Sequence, residues 1–220
     1  MSIKEAIKII LPRSVRDVID AHLRIKHHQN ILNKNTEVIK ELLKGSRPIK
    51  LELGAADRKM EGWTSVDMND NCALNLDLTK PIPFPDNSVS MIYSSHVLEH
   101  FEYPELIKLL AECLRVLKPG GTFSASVPNA RIYLNAYHDP DSFNPEIYCR
   151  HKPAYNYLSK IDYVNYMAYM AGQHRYMFDE ENLLAIAKKV GFRDAALRDF
   201  DNMLDLEARD FQSLYIEANK

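Results

Sequence analysis

Leu51-Glu52-Leu53-Gly54-Ala55-Ala56-Asp57 is a short apolar run that breaks into three small residues and then an acid. Such a run, bounded by turn-forming residues, reads as a buried strand. The small residues after it let the backbone turn sharply and approach a ligand closely. The same pattern repeats outward. Strands are expected over 49–53, 63–67, 73–78, 89–94 and 122–127, and near 195–200 and 213–217. An amphipathic helix over 104–117 carries Leu106, Ile107, Leu110, Leu114 and Leu117 on one side, and Lys118-Pro119-Gly120-Gly121 turns the chain out of it. A second helix over 179–190 is closed by Gly191. Strands alternating with helices imply a doubly wound, mainly parallel α/β sheet with covered faces. The spacing strains this scheme at one place. About eight residues part Gly54 from Trp63 and fewer part Asp67 from Ala73, whereas a parallel crossover usually takes a dozen or more.

Upstream, residues 1–48 read as a helical extension preceding a domain over 49–220. Two or three helices are expected. Pro12 ends the first, Ser14 with Asp17 forms a capping box for the next, whose apolar face holds Val15, Val18, Ile19 and His22, and a third runs over 36–44 to Gly45. This region is basic, with eleven Lys/Arg in residues 1–50 (Lys4, Lys8, Arg13, Arg16, Arg24, Lys26, Lys34, Lys40, Lys44, Arg47, Lys50) against five Asp/Glu. Ile3, Ile7, Ile10 and Leu11 would form an apolar face, compatible with peripheral contact with an anionic membrane. Helices packed on the domain with solvated basic faces are the simpler expectation. At 220 residues, 46% hydrophobic and 26% charged, the chain has the composition of one soluble α/β domain. A formal net charge of −2 argues against a nucleic-acid binder working through bulk electrostatics. Cys72, Cys113 and Cys149 are scattered, which fits a reducing, cytoplasmic setting.

In an open α/β sheet, ligands bind beyond the carboxyl ends of the strands, where the strand order reverses. At those ends stand Gly54, Ala55 and Ala56, then Asp67, suited to a ribose diol. Asp77-Leu78 follows, suited to an adenine amino group and ring nitrogen, and then Ser94-Ser95-His96, leading into Val97-Leu98-Glu99-His100. Each element alone is a weak signal; their order and spacing are the stronger one.

The series Leu51 to Asp57, Gly62-Trp63-Thr64-Ser65-Val66-Asp67, Asp77-Leu78 with Pro83-Phe84-Pro85-Asp86-Asn87-Ser88, Tyr93 to His100, and Leu114-Arg115-Val116-Leu117-Lys118-Pro119-Gly120-Gly121 resembles the ordered motifs of class I methyltransferases dependent on S-adenosylmethionine (SAM). The likeness is to the small bacterial type often encoded beside polysaccharide-biosynthesis enzymes. It covers about residues 49–128 and returns at 174–192. It implies a Rossmann-like methyltransferase domain whose cofactor is SAM. By this resemblance Glu52, Gly54, Ala55 and Ala56 line the methionine end, Asp67 and Met68 the ribose side, and Asp77 and Leu78 the adenine. Ser94, Ser95 and His96 border the transferable methyl. The chain departs from the family pattern at Ala56 and Arg58, where further glycines are usual, and Ala56 is expected to keep a negative φ. A hydride-transferring enzyme would want G-x-G-x-x-G and an acid about 20 residues on; Asp67 comes too soon.

About fifty residues over 129–178 exceed a minimal methyltransferase and read as an inserted cap. Nine of the twelve tyrosines lie there (Tyr133, Tyr137, Tyr148, Tyr155, Tyr157, Tyr163, Tyr166, Tyr169, Tyr176). As a cluster they suggest acceptor binding, although any one of them serves equally as packing. An alcohol acceptor must lose a proton, which a histidine can take. His174 is the first candidate base and His138 the second; Arg175, Tyr176, Arg131 and Tyr133 are candidate acceptor contacts. His96 is expected to shape the methyl site and His100 to be structural. His138, Asp139, Asp141 and His151 match no specific ligand spacing, so no metal is expected. The expected activity is SAM-dependent methylation of a hydroxyl on a sugar, glycan precursor or nucleotide-linked metabolite. N- or carboxyl-methylation is the alternative within the class, and a non-catalytic SAM-binding partner subunit the alternative outside it.

Overall fold

The computed structural model describes residues 12–220. The expected opening helix and its face of Ile3, Ile7, Ile10 and Leu11 lie outside the described residues. Seven strands form one sheet: β1 Lys50–Leu53, β2 Thr64–Asp67, β3 Leu74–Asn75, β4 Val89–Ser95, β5 Leu117–Pro128, β6 Arg193–Leu197 and β7 Ser213–Asn219. Their spatial order is β3-β2-β1-β4-β5-β7-β6. The first five run parallel, and β7 enters antiparallel between β5 and β6. The fold is therefore the mainly parallel α/β sheet expected from the strand pattern. The order reverses at β1 and β4, so the chain leaves these neighbours in diverging directions and opens a crevice at their carboxyl ends.

The short crossovers are real. β1 pairs in parallel with β2 (Leu51 opposite Thr64, Leu53 opposite Val66), although only turns occupy the connection between them. A sheet face without a crossover helix must be covered from elsewhere. Helix α1, Arg13–Lys44, does this as one continuous helix where two, one from Ser14 and one over 36–44, are expected. Pro12 precedes it without a side-chain cap, so Ser14 and Asp17 form no capping box, and Thr36 starts nothing; its hydroxyl donates to Leu32 O within the helix. Gly45 follows in extended rather than left-handed conformation. Ile39 joins the main core, with Val38 and Leu42 packed beside it. Asn35 is buried, donates from Nδ2 to Asn75 O at 2.7 Å and accepts Asn75 N–H at 3.0 Å. Its amide thus supplies the edge strand β3 with the pairing that a further strand would give. The end of the helical extension is in this way part of the domain core, whereas Val15, Val18 and Ile19, the anticipated apolar face, are exposed.

Helix α2, Tyr103–Val116, buries Leu106, Leu109, Leu110, Cys113 and Val116. Each fully buried aliphatic side chain contributes about 1.5–3 kcal/mol. Beyond β5 the chain enters a helical cap of α3 Ala130–His138, α4 Pro145–Tyr148 and α5 Ile161–Tyr169, joined by short 3-10 turns. The cap leaves and rejoins the sheet at adjacent points, since Asn129 and Phe178 form a parallel bridge and Ala130 N–H donates to Phe178 O. It has its own core of Tyr133, Phe143, Cys149, Tyr163, Tyr166 and Met167. Helix α6, Glu180–Val190, follows, capped by Asp179 and closed by Gly191 at φ 112°. A short helix α7, Glu207–Asp210, leads into β7.

Replacing Asn35 by alanine should strip the β3 edge of two hydrogen bonds and destabilise the domain by about 1–3 kcal/mol, read as a lower urea midpoint. An unchanged midpoint would show that α1 is dispensable to the sheet.

Candidate active site

The loop after β1 is held in a strained turn. Gly54 has φ 66°, and a side chain there would meet Val97 Cγ2 at 2.1 Å. Glycine is thus required by the close approach of the loop after β4. Ala56 has φ 48°, contrary to the expected negative value. Its strain is accepted where its N–H donates to Asp67 Oδ2 at 3.0 Å. That bond joins the loop to the end of β2 and leaves Asp67 Oδ1 as a further acceptor at the crevice. Ala56 and Met68 are exposed there and Asp67 is half-buried. Asp77 is exposed; its Oδ1 accepts the Thr79 N–H and hydroxyl, and these bonds hold its carboxyl below the usual range. Leu78 beside it is buried.

Glu52, anticipated at the methionine end, is buried within β1. Burial raises its pKa, against the lowering pull of Arg58, whose Nη1 lies 3.2 Å from Oε1. Arg58 also donates to Leu204 O at 2.7 Å and lies over the Tyr93 ring. An arginine where a glycine is usual therefore ties the loop after β1 to the segment between β6 and β7. Asp205 lies in that segment, buried, and accepts from both Arg198 Nη1 and Nη2, from Tyr93 Oη and from Asp201 N. Burial alone would raise its carboxyl, but these four donors hold it below the usual range. Glu52 Oε2 and Ser94 Oγ are buried without hydrogen-bond partners among the described residues. Ser94 and Ser95 at the end of β4 are both buried.

At the end of β4, His96 takes φ 53°. Ser213 Oγ donates to Arg209 O, so its oxygen accepts from His96 Nε2–H at 2.8 Å. The lone pair on His96 Nδ1 then faces Glu99 Oε1 at 3.7 Å. Burial, with Arg209 and the neighbouring histidines, pushes His96 down to about 3. His100 donates Nδ1–H to Gln173 O at 2.9 Å, and its Nε2 lies 3.9 Å from the same Glu99 oxygen. His174 is buried and donates Nδ1–H to Met167 O at 2.7 Å, which leaves Nε2 as an acceptor. Its ring meets that of His100 edge to face, and burial lowers its pKa. Burial pushes Glu99 up to about 8, and its Oε2 has no partner among the described residues. The Glu99 carbonyl accepts both Arg175 N–H and Tyr176 N–H, which dock the end of the cap onto the 3-10 turn Leu98–His100 that follows β4. Glu99 and His100 thus belong to the site, though no functional role followed from their positions in sequence. The signal available was the spacing His96-x-x-Glu99-His100; His174 comes from 74 residues beyond His100.

The other anticipated acceptor contacts are placed differently. Tyr133 is a core residue of the cap, 1% exposed, with its hydroxyl bonded to Tyr148 O and Gln212. Tyr163 and Tyr166 are buried with it, so much of the tyrosine cluster is packing; Tyr137, Tyr157 and Tyr169 are exposed. Arg131 spends its guanidinium on Glu180 and Asp179 at the base of the cap. The Tyr176 ring packs at a tilt against Tyr103, and its hydroxyl accepts from Asn182 Nδ2. Arg175 is exposed and lies 3.4 Å from Glu102. His138 ends α3 on the cap surface beside Tyr137, lining a shallow hollow with Ser159, Lys160 and Ile161, not in the Glu99 cluster. Asp139, Asp141 and His151 are likewise exposed.

Residues 55–125 match the model of a methyltransferase domain family. Over that stretch, about a third of its length, the chain is similar to a methyltransferase domain. Over 64 residues it is 42% identical to a probable S-adenosylmethionine-dependent methyltransferase of Mycolicibacterium smegmatis, spanning 26% of this chain and 24% of that protein. Over 86 residues it is 35% identical to an uncharacterized methyltransferase of Schizosaccharomyces pombe, spanning 37% and 30%. The matched stretches thus span about a quarter to a third of these relatives. In fold the domain is similar to a SAM-dependent methyltransferase of Archaeoglobus fulgidus, with TM-score 0.50, 18% identity and coverage of 93% of this chain and 94% of that one. It is also similar to phosphoethanolamine N-methyltransferase 2 of Haemonchus contortus, with TM-score 0.50, 16% identity and coverage of 86% and 53%. At such identities the likeness is one of fold.

The Asp205 cluster gives a check on the architecture around Tyr93. Asp205→Asn leaves Arg198 buried and uncompensated and should cost roughly 3–5 kcal/mol at neutral pH. Asp205 has its pKa lowered on folding, so its contribution is present above the ordinary carboxylate range and is lost as pH falls through the lowered value. The gap between wild type and variant in urea denaturation should therefore close on acidification. A gap constant with pH would remove Asp205 from the ion pair.

Proposed function

We propose that the protein transfers a methyl group from S-adenosylmethionine to a hydroxyl of a small polar acceptor, such as a sugar, glycan precursor or nucleotide-linked metabolite. Support for the cofactor comes from the donor set of the crevice as well as from the family. Asp67 offers a carboxylate oxygen to a ribose diol, Asp77 and Leu78 stand at the next strand end for the adenine, and the strained loop of Gly54, Ala55 and Ala56 leads to the methionine end. Glu52 Oε2, buried and without a hydrogen-bond partner among the described residues, stands at the foot of that loop. When bound, SAM supplies a methyl on a sulfonium, displaced in line by the acceptor oxygen, so the protein's task is mainly alignment.

The observation that carries the hydroxyl reading is the imidazole of His174. With Nδ1–H committed to Met167 O, its Nε2 is a fixed acceptor at the junction of the cap and the end of β4. A hydroxyl needs such a group and an amine does not. His96, with Nε2 committed to Ser213, shapes the wall between that junction and the methyl position. Cys72, Cys113 and Cys149 are free and buried, which supports a reducing cytoplasmic setting. Among the described residues no helix is long and apolar enough to cross a membrane.

Two substitutions test the two halves of the reading. Asp67→Ala should weaken both SAM and S-adenosylhomocysteine in calorimetry, by about 1.5–3 kcal/mol for each charged hydrogen bond lost; equal affinity would remove Asp67 from the cofactor site. His174→Ala should leave SAM affinity nearly unchanged while lowering turnover by roughly 10²–10⁴-fold, the usual worth of a positioned base. A full-rate His174 variant would retire the hydroxyl acceptor in favour of an amine or carboxylate.

A further inference from the structure

We infer that Glu99, His100 and His174 form a binding site for a divalent transition-metal cation on the acceptor side of the cleft. One ligand atom from each lies within 4.8 Å of the other two. The hydrogen-bond assignments make the case stronger than proximity does. His100 and His174 each donate Nδ1–H to a backbone carbonyl, Gln173 O at 2.9 Å and Met167 O at 2.7 Å. This outer-shell arrangement fixes the tautomer of a metal-ligating histidine and leaves Nε2 free for the ion. The third group, Glu99, is 2% exposed, and its Oε2 has no hydrogen-bond partner among the described residues. His96 adds no donor, because its Nε2–H goes to Ser213 and it turns the Nδ1 lone pair toward Glu99 Oε1 at 3.7 Å.

The Nε2 lone pairs of His100 and His174 and the buried carboxyl of Glu99 therefore converge on one space. A small cation satisfies all of them together. Two imidazoles and one carboxylate form the donor set of catalytic zinc sites and of facial-triad iron sites, which leave positions open for a substrate. Closing on zinc would bring ligand atoms to about 3.3 Å from one another, an inward shift on the order of 1 Å. His100, half exposed on a 3-10 turn over Leu98–His100, is free to make most of it. The spacing His96-x-x-Glu99-His100 also occurs in helical zinc sites. Here His96 has φ 53° and the segment is not α-helical, so His174 replaces His96 as the second imidazole ligand.

The binding itself does not depend on the proposed methyl transfer; only its consequence rests on that reading. With the cation bound, His174 Nε2 is a ligand. Without it, the same lone pair is available to the acceptor's proton.

The test uses untagged full-length protein carrying His27→Ala and His28→Ala, to remove two exposed histidines of α1. The protein is stripped with chelator and titrated with Co²⁺ while visible d–d absorption is followed, with Zn²⁺ then added as competitor. Saturable absorption that Zn²⁺ abolishes is expected. Glu99→Gln and His100→Ala should each weaken Co²⁺ by more than the roughly 10–100-fold that loss of an outer-shell partner costs. His100 is a surface residue, so that variant tests the site even if Glu99→Gln misfolds. No saturable absorption, or unchanged affinity in His100→Ala, overturns the inference and leaves a proton as the occupant of the cluster. SAM calorimetry on the same preparation keeps the two readings apart. SAM binding without Co²⁺ binding overturns the cation site alone, and Co²⁺ binding without SAM binding overturns the methyl-transfer reading alone.

Discussion

The parallel pairing of β1 with β4, which sets Leu53 opposite Ser94, is the constraint on which the site depends. Because the strand order reverses between these two, the chain turns away from β1 in one direction and from β4 in the other. The loops beyond them cannot close over each other, and a crevice results. Both loops are then forced into left-handed backbone, at Gly54 and Ala56 on one side and at His96 on the other. The contact of Gly54 with Val97 shows how closely they approach at the floor. Such strain persists only where surrounding bonds over-determine it. Here those bonds are Ala56 N–H to Asp67, and His96 to Ser213.

That arrangement needs support on sides where the domain has no crossover helices. The connections after β1 and β2 are loops, so β1, β2 and β3 rely on an element drawn from before them in sequence. Helix α1 provides it through Ile39 in the core and Asn35 on the β3 edge. On the other side, Arg58 and the Arg198–Asp205 pair tie the segment between β6 and β7 over Tyr93 of β4. Charged groups therefore hold the irregular parts of the fold, and aliphatic packing holds the regular ones.

Regular elements were correspondingly the legible ones. The strands and the two amphipathic helices, α2 and α6, follow from periodicity, and the strand-end motifs located the crevice. α1 reads as two helices because Thr36 looks like a helix start locally, while the residues it buries, Asn35 and Ile39, lie in its last third and give the earlier turns no apolar pattern to join them. Ala56 was expected at negative φ because a side chain is costly in the left-handed region; a long-range bond to Asp67 decided otherwise, and no local pattern encodes that. The tyrosines of the cap were read as a binding surface by composition. Which of them face inward depends on the mutual packing of α3 and α5, and composition carries no information about that. Glu99 lay in plain view between two histidines, but its significance comes from His174, which folding brings from a distant stretch of chain.

A buried carboxylate surrounded by imidazole lone pairs is an expensive thing for a fold to keep. Without a donor, desolvation favours the protonated acid, which is the direction in which Glu99 is pushed. An apolar residue of similar volume at this position would pack without that cost. The backbone of Glu99 already does the structural work, since its carbonyl receives the amides of Arg175 and Tyr176, and any side chain would permit that. The structural contacts therefore leave the carboxyl itself unexplained. Its position is at the junction of the end of β4, the 3-10 turn after it, and the segment at His174 by which the chain returns from the cap. A group kept charged or protonated there, against its own stability, is one whose use lies in what it exchanges, whether proton or cation.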